Sequence, residues 1–199
     1  DLGFGATIVG LLTGLRYFLA PLGVWAGRVS DGRTVGGYRR LFWVWLGRLM
    51  MAISTVSLGY ATAELVQLAQ YEVRGEASPT LWIILAVSFL LFSLGNALSG
   101  STFLALVYDR SAEHQRGRAV GLVWTFLLLG FTIGGIFFSV MLPHREGAQV
   151  GEIAFTAESV QNLFLVTAGL LGGLWFFSLL VEERSGLVVI PHQETRRKY

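Results

Sequence analysis

The chain has 199 residues, of which 53% are hydrophobic and 14% charged, where an ordinary soluble domain carries about 25% charged residues. With a mean hydropathy of +0.59, this balance excludes soluble, fibrous, disordered and disulfide-scaffold classes, and the absence of Cys removes thiolate metal sites and cysteine nucleophiles. The net charge of +2 is small, so the placement of the charges carries the information.

Crossing a hydrocarbon core takes roughly 20 apolar residues in a helix rising 1.5 Å each. Five runs qualify, and they are continuously apolar rather than alternating, which favours an all-α polytopic transmembrane helix bundle over a barrel. The first, 2–25, is followed by a loop with four basic residues, Arg28, Arg33, Arg39 and Arg40. The second, 41–63, precedes a loop with only Arg74. The third, 80–107, is the longest, with Gly95 and Gly100 as points of tilt or kinking, and leads to Arg110, Arg116 and Arg118. The fourth, 119–142, is followed by Arg145, and the fifth, 163–181, by Arg184, Arg196, Arg197 and Lys198. Counts of 4, 1, 3, 1 and 4 alternate as the positive-inside rule requires. They put the first and third loops and the C-terminus in the cytoplasm. Residues 1–184 are expected to form one transmembrane bundle, and 185–199 a cytoplasmic basic tail or the start of a linker. The chain starts at Asp1 without a basic leader, which reads as part of a longer or processed protein with at least one helix upstream.

Few polar residues fall inside the spans. Arg16, twelve residues before Arg28, lies near the midplane, where a charge costs about 2.5–3.5 kcal/mol and needs a polar cavity or a partner. Arg48 is close enough to the cytoplasmic edge to snorkel. Asn96, with Ser99, Ser101 and Thr102 nearby, forms the most polar patch within a span, with interhelical hydrogen bonding as the default role. Arg16, Asn96 and Arg48 are therefore the candidates for substrate contact. All thirteen acidic residues lie in loops or at span ends, which weakens a proton-relay reading. Gly95 to Thr102 has the outline of a phosphate loop but no Lys, so close helix contact is its expected role. His114, His144 and His192 fall in separate loops, and no catalytic or metal-binding constellation emerges. The basic residues already serve membrane sidedness, which leaves no nucleic-acid reading. Glycines at Gly10/Gly14, Gly23/Gly27, Gly130/Gly134/Gly135 and Gly169/Gly172/Gly173 have the spacing that lets membrane helices approach closely.

Two loops carry a family resemblance. The first, Gly27-Arg-Val-Ser-Asp31-Gly-Arg33 through Gly36 to Arg39-Arg40, resembles the loop between helices two and three of major facilitator transporters, with a longer stretch before the arginine pair. The second, Asp109-Arg110-Ser-Ala-Glu113-His-Gln-Arg116-Gly117-Arg118, resembles the loop between helices four and five. The resemblance implies a partial major-facilitator fold whose five helices correspond to helices two to six. It also implies a cytoplasmic gate made by Gly27, Asp31, Arg33, Arg39, Arg40, Asp109, Arg110, Arg116, Gly117 and Arg118, with Asp31 accepting hydrogen bonds from Arg110, Arg116 or Arg118.

Pro21-Leu-Gly-Val-Trp25, Trp43-Val-Trp45-Leu-Gly47 and Arg116-Gly-Arg-Ala-Val with Val123-Trp124-Thr125 further resemble the PucC-like bacteriochlorophyll-delivery family. That likeness implies a non-enzymatic role in pigment delivery or light-harvesting complex assembly in an inner, photosynthetic or thylakoid membrane. Bacteriochlorophyll or chlorophyll is the implied cofactor. Lipids and light-harvesting or reaction-centre subunits are the implied partners. No His lies inside a span to ligate a chlorin magnesium, so Asn96, a backbone carbonyl, water or simple apolar contact would have to serve. The alternatives are a secondary transporter with Arg16 as its anion contact, and a stationary subunit of a pigment-protein complex.

Overall fold

The computed structural model describes Gly10, Gly14, Tyr17, residues 19–32, Tyr38, and residues 40–70, 79–142 and 155–184. Most of the first expected span, 2–25, and all of the 185–199 tail lie outside the described residues. What is described is an all-α helical bundle: α1 (Ala20–Gly32), α2 (Leu41–Gln70), α3 (Pro79–Arg110), α4 (Arg116–Met141) and α5 (Ala157–Arg184), with a 3₁₀ turn at Glu113–Gln115. In hydrocarbon a helix satisfies every backbone polar group within one segment, so long apolar runs take this form. Among the described residues, four helices are long and apolar enough to cross a membrane, and the chain is an integral membrane protein.

Local chemistry sets the helix ends. Pro79 opens α3, where its missing N–H is no loss. The Thr156 hydroxyl accepts the Ser159 N–H at 3.2 Å and caps α5, whose first turn carries Glu158 against the positive end of the helix dipole. Leu142 N–H closes α4 on the Phe138 carbonyl at 2.9 Å, and Pro143 follows in the sequence. α3 runs unbroken through Gly95 and Gly100.

α2 is the centre of the bundle, packed between α3 and α5, while α1 lies on α3. The α2–α3 contact runs antiparallel: Arg40 meets Asp109, Gly47 meets Gly95 and Ser99, and Ser88 Oγ donates to Ser57 Oγ at 2.6 Å. α5 also opposes α2, with Trp175 Nε1 donating to the Trp45 carbonyl at 3.1 Å and Phe164 seated on Gly59. A Cβ on Gly47 would fall 2.8 Å from Ser99 N, and one on Gly95 would fall 2.5 Å from Gly47 O. The two backbones touch, so neither position has room for a side chain.

The bundle interior mixes aliphatic residues such as Val44, Leu65 and Leu163 with small hydroxyl-bearing ones. Ser54, Thr55, Ser88, Ser99 and Thr102 are buried. Thr55 and Thr102 return their hydroxyls to carbonyls one turn back, Met51 O at 2.7 Å and Leu98 O at 2.6 Å. Large apolar residues such as Phe126, Phe131, Ile133, Leu174 and Phe177 are exposed instead. α4 buries none of its residues. Such a surface is soluble only in lipid or against another protein.

The glycine spacing expectation needs correction. Of the pairs and clusters it singled out, Gly23 meets Ala97 O 3.2 Å from its would-be Cβ, whereas a Cβ on Gly130, Gly134, Gly135, Gly169, Gly172 or Gly173 would meet open space. The close approaches belong to Gly47, Gly59 and Gly95, because a crossing needs one small residue on each helix at the shared level and spacing along one helix cannot supply that.

Gly47→Leu or Gly95→Leu should therefore cost at least the roughly 1–3 kcal/mol of an overpacked site, whereas Gly100→Ala, where a Cβ meets open space, should be neutral or stabilising. Unfolding of the purified protein by titrated denaturing detergent measures both.

Candidate functional site: the basic end and a mid-helix cavity

The antiparallel packing brings the end of α1, the start of α2, the end of α3 and the start of α4 to one end of the bundle. This is where the described arginines of the expected gate gather. Arg40, just ahead of α2, pairs with Asp109 at the last turn of α3 at 2.9 Å, and its side chain is 14% exposed against 49% for Asp109. The pair ties the first loop to the third. Arg116 opens α4 with its guanidinium 4.5 Å from the Tyr108 ring centroid and a looser pair to Glu113 at 3.6 Å. The ring and the carboxylate together hold α4 to the turn after α3. Arg110, Gly117 and Arg118 are exposed, and Gly27 is half-buried.

Arg16, Arg33 and Arg39 lie outside the described residues, as does the side chain of Asp31. The expected bonds from Arg110, Arg116 or Arg118 to Asp31 thus lie outside the described structure, and among the described residues an ion pair between the two loops joins Arg40 and Asp109. Both were singled out as gate residues, but their partnership needs the antiparallel register, which motif matching does not provide.

Aromatic side chains surround this end. Trp25 meets Trp43 edge-on at 6.4 Å, and Tyr38 meets Trp45 at 5.1 Å. Rings with one polar edge suit the membrane–water boundary. Arg48, seven residues into α2, lays its guanidinium 5.4 Å from the Phe103 ring centroid, and Phe103 is seven residues before the end of α3. At 1.5 Å per residue both sit about 10 Å inside the helix ends. The long Arg stem and the ring face lower the cost of that depth.

Farther in, a cavity of about 460 Å³ opens between α1 and α3, within the size range of small-molecule sites. Gly23 and Ser101 form its floor, where Ser101 Oγ donates to Gly23 O at 3.0 Å and Ala97 O at 2.8 Å. Phe89, Phe92, Ser93 and Asn96 line it from α3. These four recur at helical spacing on one face of α3, a signal present in the sequence, although only Asn96 was singled out from it. A second cavity, of about 350 Å³, lies between α2 and α5 at the opposite end and is lined by Glu64, Gln67, Glu158 and Gln161. Among the described residues no cluster of His, Cys, Asp and Glu could hold a metal ion.

Residues 1–174 match the PUCC protein family. The chain belongs to the PUCC family. It is 25% identical over 162 residues to "Protein PucC" of Rhodobacter capsulatus, a match covering 79% of this chain and 34% of that protein. It is likewise 25% identical over 146 residues to an "Uncharacterized protein in puhA-bchM intergenic region" of the same organism, covering 71% of this chain and 29% of the relative. The chain thus spans about a third of the length of these curated relatives. No solved structure matches it.

For this PUCC-family chain the loop-to-loop ion pair should show energetic coupling. A double-mutant cycle of Arg40→Ala and Asp109→Ala, read by unfolding in detergent, should give about 1 kcal/mol. Strict additivity would mean that the pair contributes nothing.

Proposed function

We propose that this PUCC-family chain is part of a permease-like membrane protein that delivers chlorophyll or bacteriochlorophyll, or assists assembly of light-harvesting complexes, without catalysing a reaction. The observation that carries this reading is the family match over residues 1–174, together with the likeness to Protein PucC. In this reading α1 to α5 are helices two to six of a major-facilitator half. The arginine-rich end faces the cytoplasm, where basic residues concentrate, and the C-terminus lies on the same side. The membrane is the photosynthetic one, and the partners are lipids and light-harvesting or reaction-centre subunits.

The architecture supports this role in two ways. The Arg40–Asp109 pair closes the cytoplasmic end, which suits a gate. The apolar outer faces of α4 and α5 are the kind of surface that an antenna helix or the tail of a pigment can share. The solute-transporter alternative rests on Arg16, which lies outside the described residues.

Deletion of the full-length protein from its host should lower antenna absorbance several-fold relative to reaction-centre absorbance, with restoration on re-expression. Unchanged antenna in the deletion strain would contradict the proposal. Recovery of the protein in stoichiometric amounts with mature antenna would replace an assembly role by that of a resident subunit.

A further inference from the structure

The corner where α3 turns into α4 carries more positive charge than its own carboxylates neutralise. Asp109 is taken by Arg40 and Glu113 by Arg116, which leaves Arg110, the last residue of α3, and Arg118 in the first turn of α4. Both are exposed, and neither forms an ion pair with a described residue. The helix dipole disfavours a cation where Arg118 stands, and that first turn holds no acidic residue to offset it. Two charges so placed call for an anion from outside the described bundle.

The surface beside them is shaped for more than a free ion. Gly117 and Gly121 lie one turn apart on one face of α4; both are exposed, and a Cβ at either would meet open space. Trp124 follows one turn farther along and is 55% exposed. It stands six residues after Arg118, about 9 Å along the helix. From the membrane boundary inward, α4 thus presents a guanidinium, a stretch of bare backbone and an indole ring. Because α4 buries no residue, no described side chain fills the notch at the two glycines. We infer that this corner binds an anionic phospholipid, with Arg110 and Arg118 on its headgroup phosphate, its glycerol and first acyl carbons against Gly117 and Gly121, and the Trp124 ring beside the chain. Guanidinium matches phosphate oxygens in geometry and charge, and an indole suits the depth at which headgroups give way to hydrocarbon. A headgroup with its own ammonium, such as phosphatidylcholine, brings no net charge and sets a cation against the two arginines. The class selected is therefore a net-anionic lipid of the phosphatidylglycerol kind.

The test is native mass spectrometry of the full-length protein, released from detergent micelles after titration with phosphatidylglycerol or with phosphatidylcholine of identical acyl chains. Phosphatidylglycerol should be retained about tenfold more strongly, the order expected of two arginines near anionic headgroups. Arg110→Gln combined with Arg118→Gln should abolish that preference, whereas Arg28→Gln, at an exposed arginine on α1, should leave it unchanged. Gly121→Leu alters no charge and meets no neighbour, so it should leave the fold intact and abolish the preference by filling the notch. Equal retention of the two lipids by the unmodified protein would overturn the inference, as would a preference that survives the double arginine variant. A preference lost with the arginines but unchanged in Gly121→Leu, or lost equally in Arg28→Gln, would also overturn it, replacing a seated lipid by diffuse attraction between charges.

Discussion

Where α2 crosses α3, Gly47 and Gly95 bring two helix backbones into contact, and the rest of the described bundle is positioned by that crossing. Lipid tails are as apolar as Leu or Phe, so helices in a bilayer gain nothing by hiding apolar surface from one another and associate through close packing and hydrogen bonds. A shared level without side chains lets the helices touch. It aligns Ser57 with Ser88 on one side of the crossing and Arg40 with Asp109 on the other. The same register sets Arg48 against Phe103 and turns the Phe89, Phe92, Asn96 face of α3 away from α2, toward α1 and the cavity.

The distribution of side chains follows the same physics. Small and hydroxyl-bearing residues share the interior with Leu and Val side chains, because they allow close approach and can return their hydroxyls to their own helix. Bulky apolar residues sit outside because the solvent there is hydrocarbon. α4 takes this furthest, with Tyr108 and Glu113 holding its first residue and no residue buried along its length.

Much of this was legible in the sequence. The apolar runs at 41–63, 80–107, 119–142 and 163–181 each lie largely within a helix, because a run that long has no other way to satisfy its backbone in lipid. The helices continue past these runs, α5 from Ala157 to Arg184 for example, since helical hydrogen bonding does not stop where hydropathy falls. Asn96 was visible as the polar exception in α3, and Arg40 and Asp109 as members of the two loops. The pairings were not visible. Gly47 carries no motif and is recognised only through what lies opposite, and Asp109 finds Arg40 only once the antiparallel register is known. Glycine spacing misled for the same reason: a repeat along one helix says that contact is possible but not where a partner lies.

Because the chain contains no Cys, the register can be tested against a clean background. The most direct measurement is oxidative cross-linking of Ser57→Cys with Ser88→Cys in native membranes, compared with Ser57→Cys paired with Ser139→Cys on α4. Rapid, near-complete disulfide formation in the first pair and none in the second is the result the crossing at Gly47 and Gly95 requires. Absence of the Ser57–Ser88 cross-link, or equal cross-linking of both pairs, would contradict the register on which the Arg40–Asp109 ion pair and the Arg48–Phe103 contact depend.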